Sequence, residues 1–150
     1  MMGKRGEGWF VLQLVLFAVI LLAPPVPPVT FPLWLRTLGL GILVVGGVVG
    51  TGGILALGSN LTAFPKPIEG GTLVTKGVYS VVRHPIYTGL ILGTLGLGIF
   101  RASLLGIGLA VVLFIFFDLK SRREEKWLVE AYPGYADYRQ RVKKLIPWVY

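Results

Sequence analysis

The sequence predicts an all-α integral membrane protein of about four transmembrane helices. The last two form a tight helical hairpin, and a C-terminal amphipathic segment follows. Three observations carry this. Of the 150 residues 54% are hydrophobic and only 15% charged, with a mean hydropathy of +0.73; a soluble domain carries about 25% charge. So little polar surface cannot cover a core in water. The apolar residues also fall in long runs, separated by short stretches rich in proline, glycine and charge. Finally, the basic residues behind the net charge of +8 sit beside those runs, a placement that fits anionic headgroups rather than nucleic acid. Without cysteine there are no disulfides or thiolate ligands, and a single histidine, His84, cannot build a multi-His cage, so no metal is expected.

The whole chain, 1–150, reads as one membrane domain with spans at about 8–23, 33–57, 85–101 and 103–119. Residues 1–8 are a short polar start with Lys4 and Arg5, and Trp9 to Ala23 is apolar except for Gln13. This beginning resembles a signal peptide, but Leu21-Leu22-Ala23 lacks the small-x-small cleavage pattern and prolines follow at once, so it reads as an uncleaved span. Five prolines between Pro24 and Pro32 forbid helix and make a stiff crossover. Leu33 to Leu57 is long enough to cross with some tilt. Within it Gly46 and Gly50 have the G-x-x-x-G spacing that lets helices approach closely; the lysine-ended pattern of a phosphate loop is missing.

Gly58 to Val82 leaves the bilayer. Ile86 to Phe117 is then apolar for 32 residues apart from Arg101, Ser103 and two threonines. As one helix it would be about 48 Å long, too much for a ~30 Å core, so it must break at Arg101-Ala102-Ser103. Pro85 suits the first turn of the first arm. Gly89/Gly93 and Ala102/Gly106 supply close-packing faces. The N-terminus, the 58–84 loop and the C-terminal segment carry 2, 3 and 8 of the 15 Lys and Arg, whereas Arg36 and Arg101 lie at the opposite ends. The positive-inside rule therefore puts both termini and the central loop in the cytoplasm.

Chemistry is confined to two polar elements, 58–87 and 118–147. The first holds TLVTKGVYSVVRHPIYTG (72–89), with His84 flanked by Tyr79 and Tyr87. The second, DLKSRREEKWLVEA (118–131), continues the fourth span as an amphipathic helix. In helical phase Glu124 shares a stripe with Trp127, Leu128 and Ala131. A carboxylate there is costly unless a cation meets it, although an exposed, locally ion-paired helix explains the pattern equally well. Glu125 lines up with Leu128, Val129 and Tyr132. After Pro133-Gly134, Tyr135, Tyr138 and Val142 suggest a short interfacial helix, and Leu145 to Tyr150 closes the chain with interfacial aromatics. No residue stands out as catalytic.

Taken together, LVTKGVYSVVRHPIYTG, the EE pair about 35 residues later and YADYRQRVKKLIP resemble the isoprenylcysteine carboxyl methyltransferase family. That family belongs to a wider group of small membrane methyltransferases that includes phospholipid N-methyltransferases. The resemblance covers about residues 58–147, and the order and spacing of three blocks make it specific. It implies S-adenosylmethionine as methyl donor. By position, the cofactor contacts would be Gly71, Thr72, Leu73 and Val74, then Tyr79, then His84, Pro85, Ile86 and Tyr87, with Glu124 and its neighbour Glu125. It also implies a lipid-like or prenylated acceptor arriving from the bilayer, with Lys120 at the position where the family holds the acceptor carboxylate with arginine. Lysine pairs as a point charge without the bidentate fork, and Arg123 is the other candidate. The alternatives are a lipid N-methyltransferase, a nicotinamide-dependent reductase of the sterol-reductase fold, and a non-catalytic four-span module such as a transporter. The last usually places an ionisable residue at mid-membrane, and spans one, two and four have none.

Overall fold

A computed structural model describes residues 6–26 and 29–150. The readings that rest on Lys4, Arg5, Pro27 and Pro28 lie outside those residues. Five α-helices follow in order: α1 (Glu7–Leu22), α2 (Leu33–Leu57), α3 (Pro85–Phe100), α4 (Leu104–Ala131) and α5 (Tyr135–Arg141). Among the described residues there is no strand, only an isolated parallel bridge between Val82 and Lys143. Two helices, α2 and α4, are long and apolar enough to cross a membrane, and α1 and α3 are shorter apolar helices. Much of their apolar surface faces outward: Leu55 is 76% exposed, and Val48 and Val44 lie on the same open flank.

Small residues make the main seam. Gly39, Gly46 and Gly53 are buried on α2 at seven-residue spacing; α3 sets Gly96 against Gly39, Gly89 and Gly93 against Gly46, and Pro85 and Ile86 against Gly53. A Cβ at Gly46 would lie 2.6 Å from Gly93 N and 2.7 Å from Gly89 O; one at Gly89 would lie 2.6 Å from Gly46 O. Only glycine allows backbones this close, which is how the G-x-x-x-G spacing is used.

The α3–α4 turn falls at the expected residues. Ala102 takes φ 51°, Ser103 N–H donates to Gly98 O (2.8 Å), and the Ser103 hydroxyl caps α4 by accepting from Gly106 N–H (3.0 Å). Ala102 thus serves in the turn rather than on a packing face, and Gly106 meets Gly98 instead. Arg36 at the start of α2 donates to Phe100 O (3.0 Å), tying both arms at this end. Leu113, Phe116 and Phe117 of α4 form the core, packed against Trp9, Leu16, Phe17 and Ile20 of α1 and Tyr87, Leu90 and Ile91 of α3.

The tail does more than lie along an interface. Tyr135, Tyr138, Lys144 and Leu145 are buried. Arg83 N–H and His84 N–H donate to the carbonyls of Lys143 (2.8 Å) and Lys144 (3.1 Å), and the Thr88 hydroxyl donates to Leu145 O (2.8 Å). Asp118 on α4 closes the loop, accepting from Lys144 Nζ (2.6 Å) and the Tyr150 hydroxyl (2.8 Å). These partners are invisible to a helical-phase reading, which sees only alternating aromatic and basic residues. Trp148, 86% exposed, keeps the expected outward position, with Val149 beside it.

Candidate functional site

α3 begins at the site because Pro85, with no N–H to lose, occupies its first turn and leaves His84 as the N-cap. His84 is 6% exposed. Its Nε2 lies 3.1 Å from Glu125 Oε1 and its Nδ1 4.0 Å from Glu124 Oε2. The carboxylate has no proton to give, so Nε2–H donates to Glu125. The His84 ring stacks on Tyr87 (centroids 5.4 Å apart, planes 5° apart), and Tyr87 stacks on Phe117 (4.3 Å, 11°). The Tyr87 hydroxyl donates to Glu124 Oε2 at 2.7 Å.

The two glutamates have different surroundings. Glu125 is buried and its Oε1 is heavily engaged: besides His84 it accepts from Arg83 Nε at 2.9 Å, with Nη2 also at 2.9 Å. Arg83 in turn donates to the carbonyls of Arg139 (3.1 Å) and Val142. This ties α4, the His84 segment and the tail into one knot. Glu124 has a side chain 22% exposed and only the Tyr87 hydroxyl as close partner, so it retains acceptor capacity. Helical phase put Glu124 toward the protein, as found. It understated Glu125, whose partners come from residues 83–84 and from α5.

A cavity of about 330 Å³ opens beside this cluster, within the range of roughly 300–1,000 Å³ usual for small-molecule sites. Of the residues singled out in the sequence, Thr72, Leu73, Val74, Tyr79, His84, Ile86, Tyr87, Lys120 and Glu124 line it. Gly71, Pro85 and Glu125 stand just behind. A Cβ at Gly71 would lie 2.8 Å from the Tyr132 hydroxyl, and Pro85 is fully buried under the His84 turn. Gly71 N–H and Thr72 N–H already donate to Ile68 O (3.1 Å) and Asn60 Oδ1 (3.0 Å), so these two loop donors are engaged. Arg123 points elsewhere: it is exposed, with its guanidinium 4.7 Å above the Trp127 ring.

Lys120 is 2% exposed, with Nζ 5.3 Å over the Tyr87 ring and donating to Gln13 Oε1 at 2.6 Å. Among the described residues no carboxylate reaches ion-pair distance of that ammonium. Other lining residues are not site candidates in the sequence, among them the polar side chains of Gln13, Tyr135 and Tyr138. Tyr138 donates to Tyr79 O at 2.5 Å, whereas the buried Tyr135 hydroxyl has no hydrogen-bond partner among the described residues. Burial raises the Tyr79 and Tyr135 hydroxyls well above the usual phenol range, and pushes Tyr138 up to about 12, so all three stay protonated. For Gln13 a signal existed, since a lone polar side chain in an apolar span points inward more often than to lipid. For the two tyrosines none did, because an interfacial stripe and a buried one share the same spacing.

Among the described residues, the arrangement offers a flat aromatic face, one carboxylate with spare capacity, one ammonium bonded only to a neutral amide and one hydroxyl without a hydrogen bond, in a single half-buried cavity. It suits a ligand that is partly aromatic and carries both charges. The family model for phospholipid methyltransferase matches residues 34–134, and the chain belongs to that family. Among its individual relatives, protein-S-isoprenylcysteine O-methyltransferase B of Arabidopsis thaliana is 31% identical over 120 residues, covering 77% of this chain and 61% of that protein. The cobalt-zinc-cadmium resistance protein CzcN of Cupriavidus metallidurans is 38% identical over 80 residues, 53% of this chain and 37% of that one. The solved structure of the eukaryotic intramembrane Ras methyltransferase ICMT superposes with a TM-score of 0.71 at 27% identity. That match covers 95% of this chain and 50% of that one. The chain therefore spans about half the length of the relatives it matches.

Proposed function

We propose that the chain is a four-span membrane methyltransferase that moves a methyl group from S-adenosylmethionine to a carboxylate of the prenylcysteine type at the cytoplasmic face. The observation that carries this is the meeting of Glu124 and Lys120 in one cavity, an acceptor for a cation beside a receptor for an anion. S-adenosylmethionine is a fitting donor. Its adenine matches the ring face of Tyr79, its positive groups match Glu124, and its hydroxyls match the Tyr135 hydroxyl. When bound, it supplies an electrophilic methyl group on a sulfonium.

The chain's own residues then have few tasks. Tyr87, stacked on His84 and Phe117, holds Glu124 in place through its hydroxyl and lies under the Lys120 ammonium. Lys120 holds the acceptor carboxylate in register. An ionised carboxylate is already a nucleophile, so alignment and exclusion of water suffice and no base is needed. That accords with the lack of a catalytic dyad in the sequence. A second reading, N-methylation of a lipid amine, is favoured by the name of the family model. An amine acceptor, however, must lose a proton beside the ammonium of Lys120.

Four apolar helices, with the cavity and the basic tail at one end and Arg36 and Arg101 at the other, support the four-span, cytoplasmic-facing topology. Calorimetry in detergent tests the donor: S-adenosylmethionine and S-adenosylhomocysteine are expected to bind at micromolar levels and NADPH to give no heat. Binding of NADPH without either nucleoside would replace this reading with a reductase.

A further inference from the structure

We propose that Gln13 is a positioning residue that aims Lys120, making a membrane-buried side chain of α1 part of the receptor for the acceptor's anionic group. This rests on the carboxylate reading above.

Lys120 lies on α4, 107 residues away in sequence, yet its ammonium donates to Gln13 Oε1 at 2.6 Å. Gln13 is the one polar side chain between Trp9 and Ala23, so its amide has no reason to face lipid and a strong one to turn inward. Both residues line the cavity, and Lys120 is 2% exposed. A buried ammonium ordinarily sits against a carboxylate, because removal from water costs several kcal/mol per ion. Here the direct partner is a neutral amide, and Glu124, one turn further along the helix, is engaged by the Tyr87 hydroxyl. A neutral partner fixes the direction of Nζ without cancelling its charge, and two of its three protons remain for an incoming anion. A glutamate at position 13 would fix the ammonium equally well but neutralise it.

The contrast defines the test. Binding of S-farnesyl-N-acetylcysteine and of its neutral carboxamide is measured by calorimetry on the full chain saturated with S-adenosylhomocysteine. The same titrations are run on Gln13→Glu and Gln13→Leu, with donor affinity and thermal unfolding as controls. The wild type is expected to prefer the acid by tenfold or more. Gln13→Glu is expected to abolish that preference with donor affinity unchanged, and Gln13→Leu to weaken it several-fold. A preference for the acid that survives both substitutions overturns the role of Gln13 while leaving the carboxylate reading intact. No preference in the wild type, together with methylation of lipid amines, overturns both. Loss of donor binding in step with loss of acid binding reduces Gln13 to a packing residue and also overturns the proposal.

Discussion

A carboxylate that is only 6% exposed, as Glu125 is, persists as an ion because Arg83 and His84 both donate to it. Through these bonds and Arg139 it ties three elements together. Glu124, held by the Tyr87 phenol, lines the cavity and is the residue proposed to meet the ligand. Two different failures follow. Glu125→Ala leaves Arg83 buried without its anion and is expected to destabilise by about 3–5 kcal/mol, read as a fall in thermal unfolding temperature. Glu124→Ala is expected to leave unfolding nearly unchanged and to weaken S-adenosylmethionine binding by about 1.5–3 kcal/mol, ten- to a hundredfold. Equal small effects on both readouts would mean a solvated pair. Sequence phase alone ranked Glu124 first for the ligand and left Glu125 open. The missing information was tertiary, since the bonds to Glu125 come from a loop 41 and 42 residues earlier.

At the scale of elements, the α2–α3 seam is set by backbone approach. Gly46 and Gly47 are adjacent in sequence and opposite in environment: a Cβ at Gly47 meets nothing within 4 Å. Gly46→Ala is expected to force the helices apart and destabilise by roughly 1–3 kcal/mol. Gly47→Ala is expected to be neutral or to stabilise by up to about 1 kcal/mol through helix propensity. Unfolding of the two variants in the same detergent measures the difference, and matching values would deny the seam. Glycine spacing, proline placement and the length limit on a membrane helix made α2 and the hairpin break at 101–103 legible in the sequence. Each is a local rule with one outcome. From sequence the tail reads as interfacial, because nothing local distinguishes a basic aromatic segment on a headgroup from one folded back. That choice is made by the carbonyls of residues 143–145, which cap donors at residues 83, 84 and 88.

For the molecule as a whole, the ends of the helices decide how an acceptor arrives. The cavity shares Ile54, Ile86 and Leu90 with an apolar groove of about 450 Å³ bounded by α1, α2 and α3. A lipid tail can remain in that groove while its head reaches Lys120, gaining ~0.8 kcal/mol per buried CH₂. Methylation of one headgroup on tails of increasing length should therefore rise with length, and equal turnover of a short soluble analogue would contradict approach from the bilayer. The central claim is carboxyl methylation, and the chemical stability of the product tests it most directly. The chain is reconstituted in liposomes containing phosphatidylethanolamine, S-farnesyl-N-acetylcysteine and S-adenosylmethionine carrying a labelled methyl group. The lipid fraction is then treated with base. A carboxyl methyl ester releases its label as volatile methanol, and the account expects nearly all the label to leave this way. Label that stays on the lipid after base, as an N-methyl amine would, contradicts it.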